Sequence, residues 1–260
     1  AWQLAQAKAL GAERVAVAMS CSLVQRGALP LLPEAVRTRS ALTCGADLVF
    51  ALPAPCACAG AEAFARAGVA LLAAAGCDGL VFGAETPDAA LLMEAAELLD
   101  SDSYRAALKA LLAGGARSFA AARQAAAAQL ASDERVAALL DKPNNNLAVE
   151  YCRAIRSLAP RMEAYPLPRQ GANHGEALHS AHGQFASASA LRKLWAEGGA
   201  DAIAPYVPEA VFPLYQVAYA AGQYTDFYAA GRCELALLRS ACRGKAPFAD
   251  IRGVSEGLEH

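Results

Sequence analysis

The sequence predicts an α/β fold around a parallel sheet, because three short apolar segments alternate with helical stretches. The segments are 14–19 (RVAVAM), 47–52 (DLVFAL) and 79–82 (GLVF), and Pro53 and Gly83 close the second and third. Apolar runs of this length, bounded by turn residues, are typical of buried strands. Strands that alternate with helices are typical of βαβ units, in which neighbouring strands pair in parallel.

The first helical stretch stands ahead of the first predicted strand. Residues 1–10 have the apolar spacing of a helix, and the same spacing returns in 34–44 and 60–75, between the strands. A doubly wound sheet usually begins with a strand whose carboxyl end bears the phosphate loop. Either this fold begins unusually, or its first strand and loop are missing from the sequence.

The pattern changes after Thr86, where helical periodicity continues without a strand. It covers 87–99, 104–113 and 118–130. A turn is predicted at 141–146 (DKPNNN), since Asn caps helix N-termini.

A helix over 147–158 and a further strand over 162–167, between Pro160 and Pro168, are expected next. Ser187 opens a helix to about Trp195, and 205–243 reads as helices.

The composition limits the class of protein. Of the 260 residues 56% are hydrophobic, and much of that share is alanine, a small helix former. No apolar run reaches the roughly 18 residues of a membrane span, and no signal peptide opens the chain. We therefore expect a soluble protein without a membrane partner. Eight cysteines without regular spacing favour reduced thiols and a cytoplasmic location.

Two groups of potential metal ligands lack the spacing of a metal site. Cys56 and Cys58 form a CxC pair, but no second Cys or His pair follows at ligand distance. Three of the four histidines fall in the polar stretch 171–184, which we expect to be a mobile loop. We expect no metal bound by protein side chains. The net charge of −2 neither favours nor excludes nucleic acid.

Several catalytic signatures are absent from the sequence. It contains no GxGxxG, GxxxxGK[ST] or HExxH motif. Dinucleotide dehydrogenases, P-loop enzymes and zincins are therefore disfavoured. The remaining candidates are polar residues at the carboxyl ends of the strands, where open α/β sheets bind ligands.

Each candidate has a functional and a structural interpretation. The loop 19–27, with Arg26, suits a phosphate or carboxylate, or is an ordinary βα loop. Gly83 lets a ligand approach the backbone, or forms a capping turn. Asn144 suits a base or ribose, or caps a helix. Arg169 is a phosphate contact or a surface cation.

A last candidate is the predicted helix N-terminus at 187–192 (SASALR). Ser hydroxyls and free N–H groups lie there, and Arg192 follows one turn later, which suits a triphosphate. A simple Ser cap with an exposed Arg is the alternative.

Eight stretches of the sequence, taken in order, form a specific set. They are MSCSLVQRG, ALTCGADLVFALP, AEAFARAGV, CDGLVFGAE, DKPNNNLAVEYCRAI, ASASALRK, PYVP and GVSEGLE. This set, which spans almost the whole chain, resembles the tRNA(Met) cytidine acetate ligase family of bacterial nucleotidyltransferases.

The resemblance implies an α/β fold with a Rossmann-like nucleotidyltransferase parallel sheet and an added helical region that helps to hold tRNA. It implies an ATP-dependent ligase, with Mg²⁺, that activates acetate as acetyl-adenylate. The acetyl group then passes to N4 of the wobble cytidine of elongator tRNA(Met), giving N4-acetylcytidine. Carried over by position, Gly83, Asn144, Arg169 and Gln170 contact ATP.

Two further residues match the signature of the wider nucleotidylyltransferase superfamily. Ser189 and Arg192 correspond to its Ser/Thr and Arg, which grip the β- and γ-phosphates and are the catalytic candidates. In the loop 19–27 the family's usual SGN reads Ser-Cys-Ser. Ser20 and Arg26 of this loop are candidate contacts for the acyl group or tRNA.

The resemblance also implies a division of the chain. We expect a Rossmann-like domain over 1–200, with a helical insertion at about 87–140, and a truncated helical C-terminal region over 201–260. Family members begin with a strand and an NPFHNGH-type loop (HxGH), whose histidines bind the triphosphate. The sequence starts where that loop should have ended, so we expect the strand and loop to be missing from it.

Two other functions stay open at this point. A nucleotidyltransferase of the same fold could act on a small cofactor precursor, such as a pantetheine or nicotinamide nucleotide. That function would not explain the KPNN and GVSEGLE stretches. A catalytically inactive RNA-binding relative would fit if the natural gene also lacks the histidine loop. The sequence does not indicate the oligomeric state.

Overall fold

A computed structural model of the protein describes residues 1–25, 27–115, 118–169 and 186–241. The predicted loop 171–184 lies outside these ranges. The first half contains α1 (Trp2–Ala9), β1 (Ala16–Ser20), α2 (Glu34–Thr43), β2 (Leu48–Leu52), α3 (Ala54–Ala57), α4 (Ala61–Ala74) and β3 (Gly79–Ala84). The second half contains α5 (Ala89–Asp100), α6 (Asp102–Ala113), α7 (Phe119–Leu130), α8 (Glu134–Leu139), α9 (Pro143–Leu158), β4 (Glu163–Pro168), α10 (Ala188–Gly198), a 3-10 helix (Asp201–Tyr206), α11 (Phe212–Ala220) and α12 (Phe227–Ala241).

The predicted α/β fold with parallel strands is confirmed. All four apolar runs expected to be strands form β1 to β4, with shifts of up to two residues at their ends. β1 pairs in parallel with β2, from Ala16 opposite Leu48 onward. β3 pairs in parallel with β4, from Gly79 opposite Glu163 onward. Among the described residues the strands thus form two parallel pairs rather than one continuous sheet.

The inner edges of the two strand pairs have unused backbone groups. The N–H of Glu163 donates to the Asp78 carbonyl, and the N–H of Arg169 donates to the Ala84 carbonyl. Backbone groups alternate in direction along a parallel strand, so those of Val81 point away from β4. Residues 16–18 of β1 and 79–83 of β3 line the same cavity. The two inner edges therefore face one shared space.

The main core lies where α4, α5 and α9 pack against β3. Its fully buried side chains include Val69, Leu92, Val149 and Ile155. Burying an aliphatic side chain of this size contributes roughly 1.5–3 kcal/mol. Between them lie buried alanines, whose small volume lets neighbouring helices approach closely: Ala65, Ala95, Ala96, Ala126, Ala127 and Ala148. This core fixes β3 relative to α9, which together contribute to the candidate site.

Helix α9 begins earlier than the sequence pattern predicts. The turn expected over 141–146 is shorter than predicted and ends at residue 142, because α9 starts at Pro143 and Lys142 is its N-cap residue. Proline is favoured at the first helical position, where its missing N–H is not needed and its φ suits the helix. Asn144 therefore lies in the first turn of the helix and is not its cap.

The C-terminal helices form a second, smaller core. Trp195 of α10, Ile203 of the 3-10 helix and Ala218 of α11 pack with Leu32, just before α2. The hydroxyl of Thr225 donates to the Pro30 carbonyl at 2.6 Å. These contacts join the C-terminal helices to the β1–α2 connection. Every helix in the described ranges is too short or too polar to cross a bilayer.

One carboxylate joins α1, β1 and β2 at the amino ends of the strands. Asp47 accepts hydrogen bonds from the Val15 N–H at 2.8 Å, from Arg14 at 3.0 Å and from Lys8 at 3.1 Å. The Val15 N–H, followed by the Lys8 and Arg14 cations, lowers the pKa of Asp47 to about 2.

We expect Asp47→Asn to remove part of the acid sensitivity of folding. A depressed pKa means that the stabilisation is present above the unfolded value of 3.8 and is lost as the pH falls through about 2. The urea midpoint of the wild type should therefore fall more steeply over that interval than that of Asp47→Asn. Asp102→Asn is the control, because Asp102 is exposed and pairs with Arg105 of its own helix. Equal slopes for Asp47→Asn and the wild type would contradict the assignment.

Candidate functional site

A cavity of about 1410 Å³ opens between the two strand pairs. Its walls are formed by residues of β1 and β3 together with residues of α1, α4 and α9. Gly83, Asn144 and Arg169, three of the residues predicted to contact ATP, all line it. They come from the end of β3, the first turn of α9 and the position after β4. The fold therefore gathers three segments that are far apart in the sequence.

Gly83 and Arg169 are direct neighbours in this cavity. A β-carbon on Gly83 would lie 3.6 Å from Cγ of Arg169 and 3.4 Å from Nε2 of Gln3 in α1. The side chain of Arg169 thus passes beside the bare backbone of Gly83. Arg169 is exposed, and it takes part in none of the ion pairs among the described residues. Its guanidinium is available to an anionic ligand.

Asn144 is held by the carboxylate of Glu85, just after β3. Oε1 of Glu85 accepts from Nδ2 of Asn144 at 2.6 Å and from its backbone N–H at 3.3 Å. Oε2 accepts from the backbone N–H of Asn145 at 2.7 Å. Glu85 closes the stretch CDGLVFGAE, but no role was predicted for this residue. Its position two residues after Gly83 was the only signal that could have suggested one.

After Asn144, toward the C-terminus of α9, the side of the helix that faces the cavity becomes apolar. Leu147 and Tyr151, three and seven residues after Asn144, line the cavity on the same helical face. The rings of Tyr151 and Phe82 pack with centroids 5.3 Å apart. Burial raises the pKa of the Tyr151 phenol to about 12, so the phenol stays protonated at neutral pH. The cavity is therefore apolar along α9 and polar where Asn144 approaches the carboxyl edge of β3.

Ser189 and Arg192 lie in the first turns of α10, outside the lining of this cavity. Ser187 is the cap of that helix, with its hydroxyl accepting from the Ala190 N–H at 3.2 Å. The Ser189 hydroxyl lies 3.0 Å from that of Ser187 and is exposed. The guanidinium carbon of Arg192 lies 5.6 Å from the centroid of the Phe227 ring. The Ser cap is confirmed at Ser187, which leaves Ser189 and Arg192 open to a ligand role.

The remaining predicted site residues are only partly described. Ser20 is the last residue of β1, opposite Leu52 of β2. A guanidinium N–H of Arg37 donates to the carbonyl of Cys21 and so anchors the start of the following loop. Arg26 and Gln170 lie outside the described residues.

Curated relatives and solved structures resemble this chain. The tRNA(Met) cytidine acetate ligase of Syntrophotalea carbinolica is 39% identical over 196 residues, 75% of this chain and 46% of that protein. The protein of the same name from Caldanaerobacter subterraneus subsp. tengcongensis is 33% identical over 253 residues, 95% of this chain and 61% of its own length. The chain thus spans about half to three-fifths of these relatives.

Crystal structures of Thermotoga maritima TmcAL have the same fold. The apo form I matches with a TM-score of 0.86 and 28% identity, covering 99% of this chain and 62% of that one. Form II, bound with alpha-thio ATP, matches with a TM-score of 0.76 over 86% of this chain and 53% of that one. The resemblance predicted from the motifs and the nucleotidyltransferase fold are confirmed. A family model described as HIGH Nucleotidyl Transferase matches residues 1–260, and the chain belongs to that family.

Proposed function

We propose that the protein is an ATP-dependent tRNA(Met) cytidine acetate ligase that acts in the cytoplasm. The proposal rests on one observation: Gly83, Asn144 and Arg169, which the resemblance assigns to ATP, line a single cavity. The ATP analogue bound to the Thermotoga maritima relative supports a nucleotide as the ligand.

In the first proposed step, an acetate oxygen attacks the α-phosphorus of ATP. The bond from that phosphorus to the bridging oxygen breaks, pyrophosphate leaves with the electron pair, and acetyl-adenylate forms. Such a step depends on stabilising charge on the leaving group rather than on a protein nucleophile. Arg169 and Arg192 would supply cations, while Ser189 and Gln170 would donate hydrogen bonds to phosphate oxygens. Mg²⁺ would bind together with ATP, because the triphosphate supplies the oxygen ligands that this ion prefers.

In the second proposed step, N4 of the wobble cytidine attacks the acetyl carbonyl carbon. The anhydride bond to AMP breaks, AMP leaves, and N4 loses a proton. Ser20 at the carboxyl end of β1 and Arg26 in the loop that follows are our candidates for contacting the acyl group or the tRNA. The helices from α10 onward are our candidates for holding elongator tRNA(Met).

We also propose that a further strand of this protein lies between β1 and β3 in the complete sheet. Both inner edges have backbone groups available to such a strand. Gln3, near the start of α1, lies beside Gly83, so α1 begins at the carboxyl edge, where an added parallel strand would end. The connection from this strand to α1 would then pass close to Gly83 and Asn144. A histidine loop in that connection would lie beside the proposed ATP site, where it could bind the triphosphate.

Exchange of radiolabelled pyrophosphate into ATP tests the proposed adenylation step. With the full-length protein, we expect label in ATP when acetate is present and none when acetate is omitted. Exchange that requires phosphopantetheine or nicotinamide mononucleotide instead of acetate would assign the protein to small cofactor precursors. Loss of all exchange in a protein that still binds tRNA would indicate an inactive RNA-binding relative.

A further inference from the structure

We infer that Glu85 is a positioning residue of the nucleotide site, which orients the side chain of Asn144 so that its carbonyl oxygen meets a hydrogen-bond donor of the nucleotide. The inference rests on the proposed ATP site. It adds a residue to that site and names the kind of group that Asn144 recognises.

The carboxylate of Glu85 accepts several hydrogen bonds from the start of α9. It receives three N–H groups, two from Asn144 and one from Asn145, at 2.6 to 3.3 Å. Asn144 and Asn145 are the second and third residues of α9, whose N-cap residue Lys142 makes no side-chain capping bond. A carboxylate from a distant strand end therefore takes the place of the cap, at the positive end of the helix dipole.

The chemistry of Glu85 decides which way the Asn144 amide points. An ionised carboxylate can only accept hydrogen bonds, so the NH₂ group of Asn144 must face it. The carbonyl oxygen Oδ1 then lies at the opposite edge of the planar amide group, and no donor among the described residues bonds to it. Because Asn144 lines the cavity, the group that meets Oδ1 is an N–H or O–H donor. ATP offers such donors in its ribose hydroxyls and in the 6-amino group of adenine.

A separate pair of hydrogen bonds fastens the start of α9 to the end of β3. Oδ1 of Asn145 accepts from the Thr86 N–H at 2.9 Å, and Nδ2 of Asn145 donates to the Thr86 hydroxyl at 3.1 Å. The Asn145 side chain is almost completely buried. This connection does not involve Glu85, so we expect the helix to stay in place when Glu85 is replaced. Loss of Glu85 should then mainly allow the side chain of Asn144 to rotate freely.

The test compares ATP dissociation constants of the full-length wild type with those of Glu85→Ala, Asn144→Ala and the double variant. We expect Glu85→Ala to bind ATP roughly tenfold more weakly, the effect of losing one well-placed hydrogen bond. The double variant should bind no more weakly than Asn144→Ala alone, because Glu85 acts through Asn144. Glu85→Gln should recover part of the affinity, since its carbonyl oxygen can still accept from the Asn144 amide.

Asp88→Ala is the matched control. Asp88 caps α5 by accepting from the Leu91 N–H at 3.0 Å, so its loss removes a helix cap without touching Asn144. We expect this variant to keep wild-type ATP affinity.

Nucleotide analogues identify the donor. The weakening caused by Glu85→Ala should disappear with one of ITP, 2′-deoxy-ATP and 3′-deoxy-ATP, namely the one that lacks the group facing Oδ1. Weakening of equal size with all of them would overturn the assigned contact. Wild-type ATP affinity in Glu85→Ala, or additive losses in the double variant, would overturn the positioning role alone. A wild-type protein that binds no ATP would overturn the proposed function as well.

Discussion

Replacing Arg169 with alanine is expected to weaken ATP binding by roughly ten- to a hundredfold, the effect of one lost charge-assisted hydrogen bond to phosphate. Arg169 lies beside Gly83 at the carboxyl edge of the strands and is not paired with any carboxylate in the described part of the chain. Titration calorimetry with ATP on the full-length protein measures the change. Arg169→Lys should recover only part of the affinity, because an ammonium cannot form two parallel bonds to a phosphate.

Arg161→Ala is the control for this prediction. Arg161 is an exposed arginine that lines the same cavity but precedes β4, at the amino edge of the sheet. Removal of either arginine changes the net charge equally, so a loss confined to Arg169→Ala identifies a local contact. Equal losses in the two variants would show that only general electrostatic attraction is involved.

Replacing Glu150 with alanine is expected to lower the free energy of unfolding by about 3–5 kcal/mol, since it breaks a buried ion pair and leaves the Arg123 guanidinium without a carboxylate partner among the described residues. Glu150 is 2% exposed and lies in α9 between Arg123 of α7 and Arg153 of its own helix, which are 17% and 22% exposed. Without the carboxylate, the largely desolvated guanidinium of Arg123 loses its counter-ion, while Arg153 keeps Asp100 at 2.8 Å. Urea denaturation at neutral pH gives the change in free energy.

Glu62→Ala is the matched control for that measurement. Glu62 also approaches Arg153, at 3.8 Å, but its side chain is 64% exposed. An exposed ion pair of this kind contributes about 0–1 kcal/mol, so we expect almost no change. If Glu150→Ala were as mild as Glu62→Ala, Glu150 would not be essential to the packing of α7 on α9.

The strands were predictable because each is a short apolar run closed by a turn residue. Gly83 near the end of β3 and Pro168 at the end of β4 are such signals. The pairing of the strands was not predictable in the same way. The runs in β1 and β3 have similar composition. Nothing in their residues specifies that one edge of each strand stays unpaired and faces the common cavity. Pairing depends on contacts far apart in the sequence, which local patterns do not encode.

The start of α9 shows how a local signal can be misread. The run of three asparagines after Pro143 favours a turn on propensity alone. In the structure these asparagines enter the helix, because Glu85 and Thr86 supply partners for their backbone and side-chain groups. Those partners lie 59 or 60 residues away. The helix boundary and the role of Glu85 therefore could not be predicted from the neighbouring residues.

The candidate site could be predicted where its residues lie at the ends of strands. Gly83 lies near the end of β3 and Arg169 directly follows β4. Parallel strands bring their carboxyl ends to one edge of the sheet. Asn144 was placed there by resemblance, and the structure puts it in the same cavity. How Ser189 and Arg192 approach the phosphates stays a prediction, because the segment joining β4 to α10 lies outside the described residues.

Transfer of labelled acetate to tRNA tests the central claim most directly. The full-length protein would be incubated with ATP, Mg²⁺, radiolabelled acetate and elongator tRNA(Met), and the tRNA then digested to nucleosides. We predict ATP-dependent label in N4-acetylcytidine from the wobble position, and none when the wobble cytidine is replaced by uridine. Label that appears on a small thiol or a free nucleotide, with none on tRNA, would contradict the proposed function.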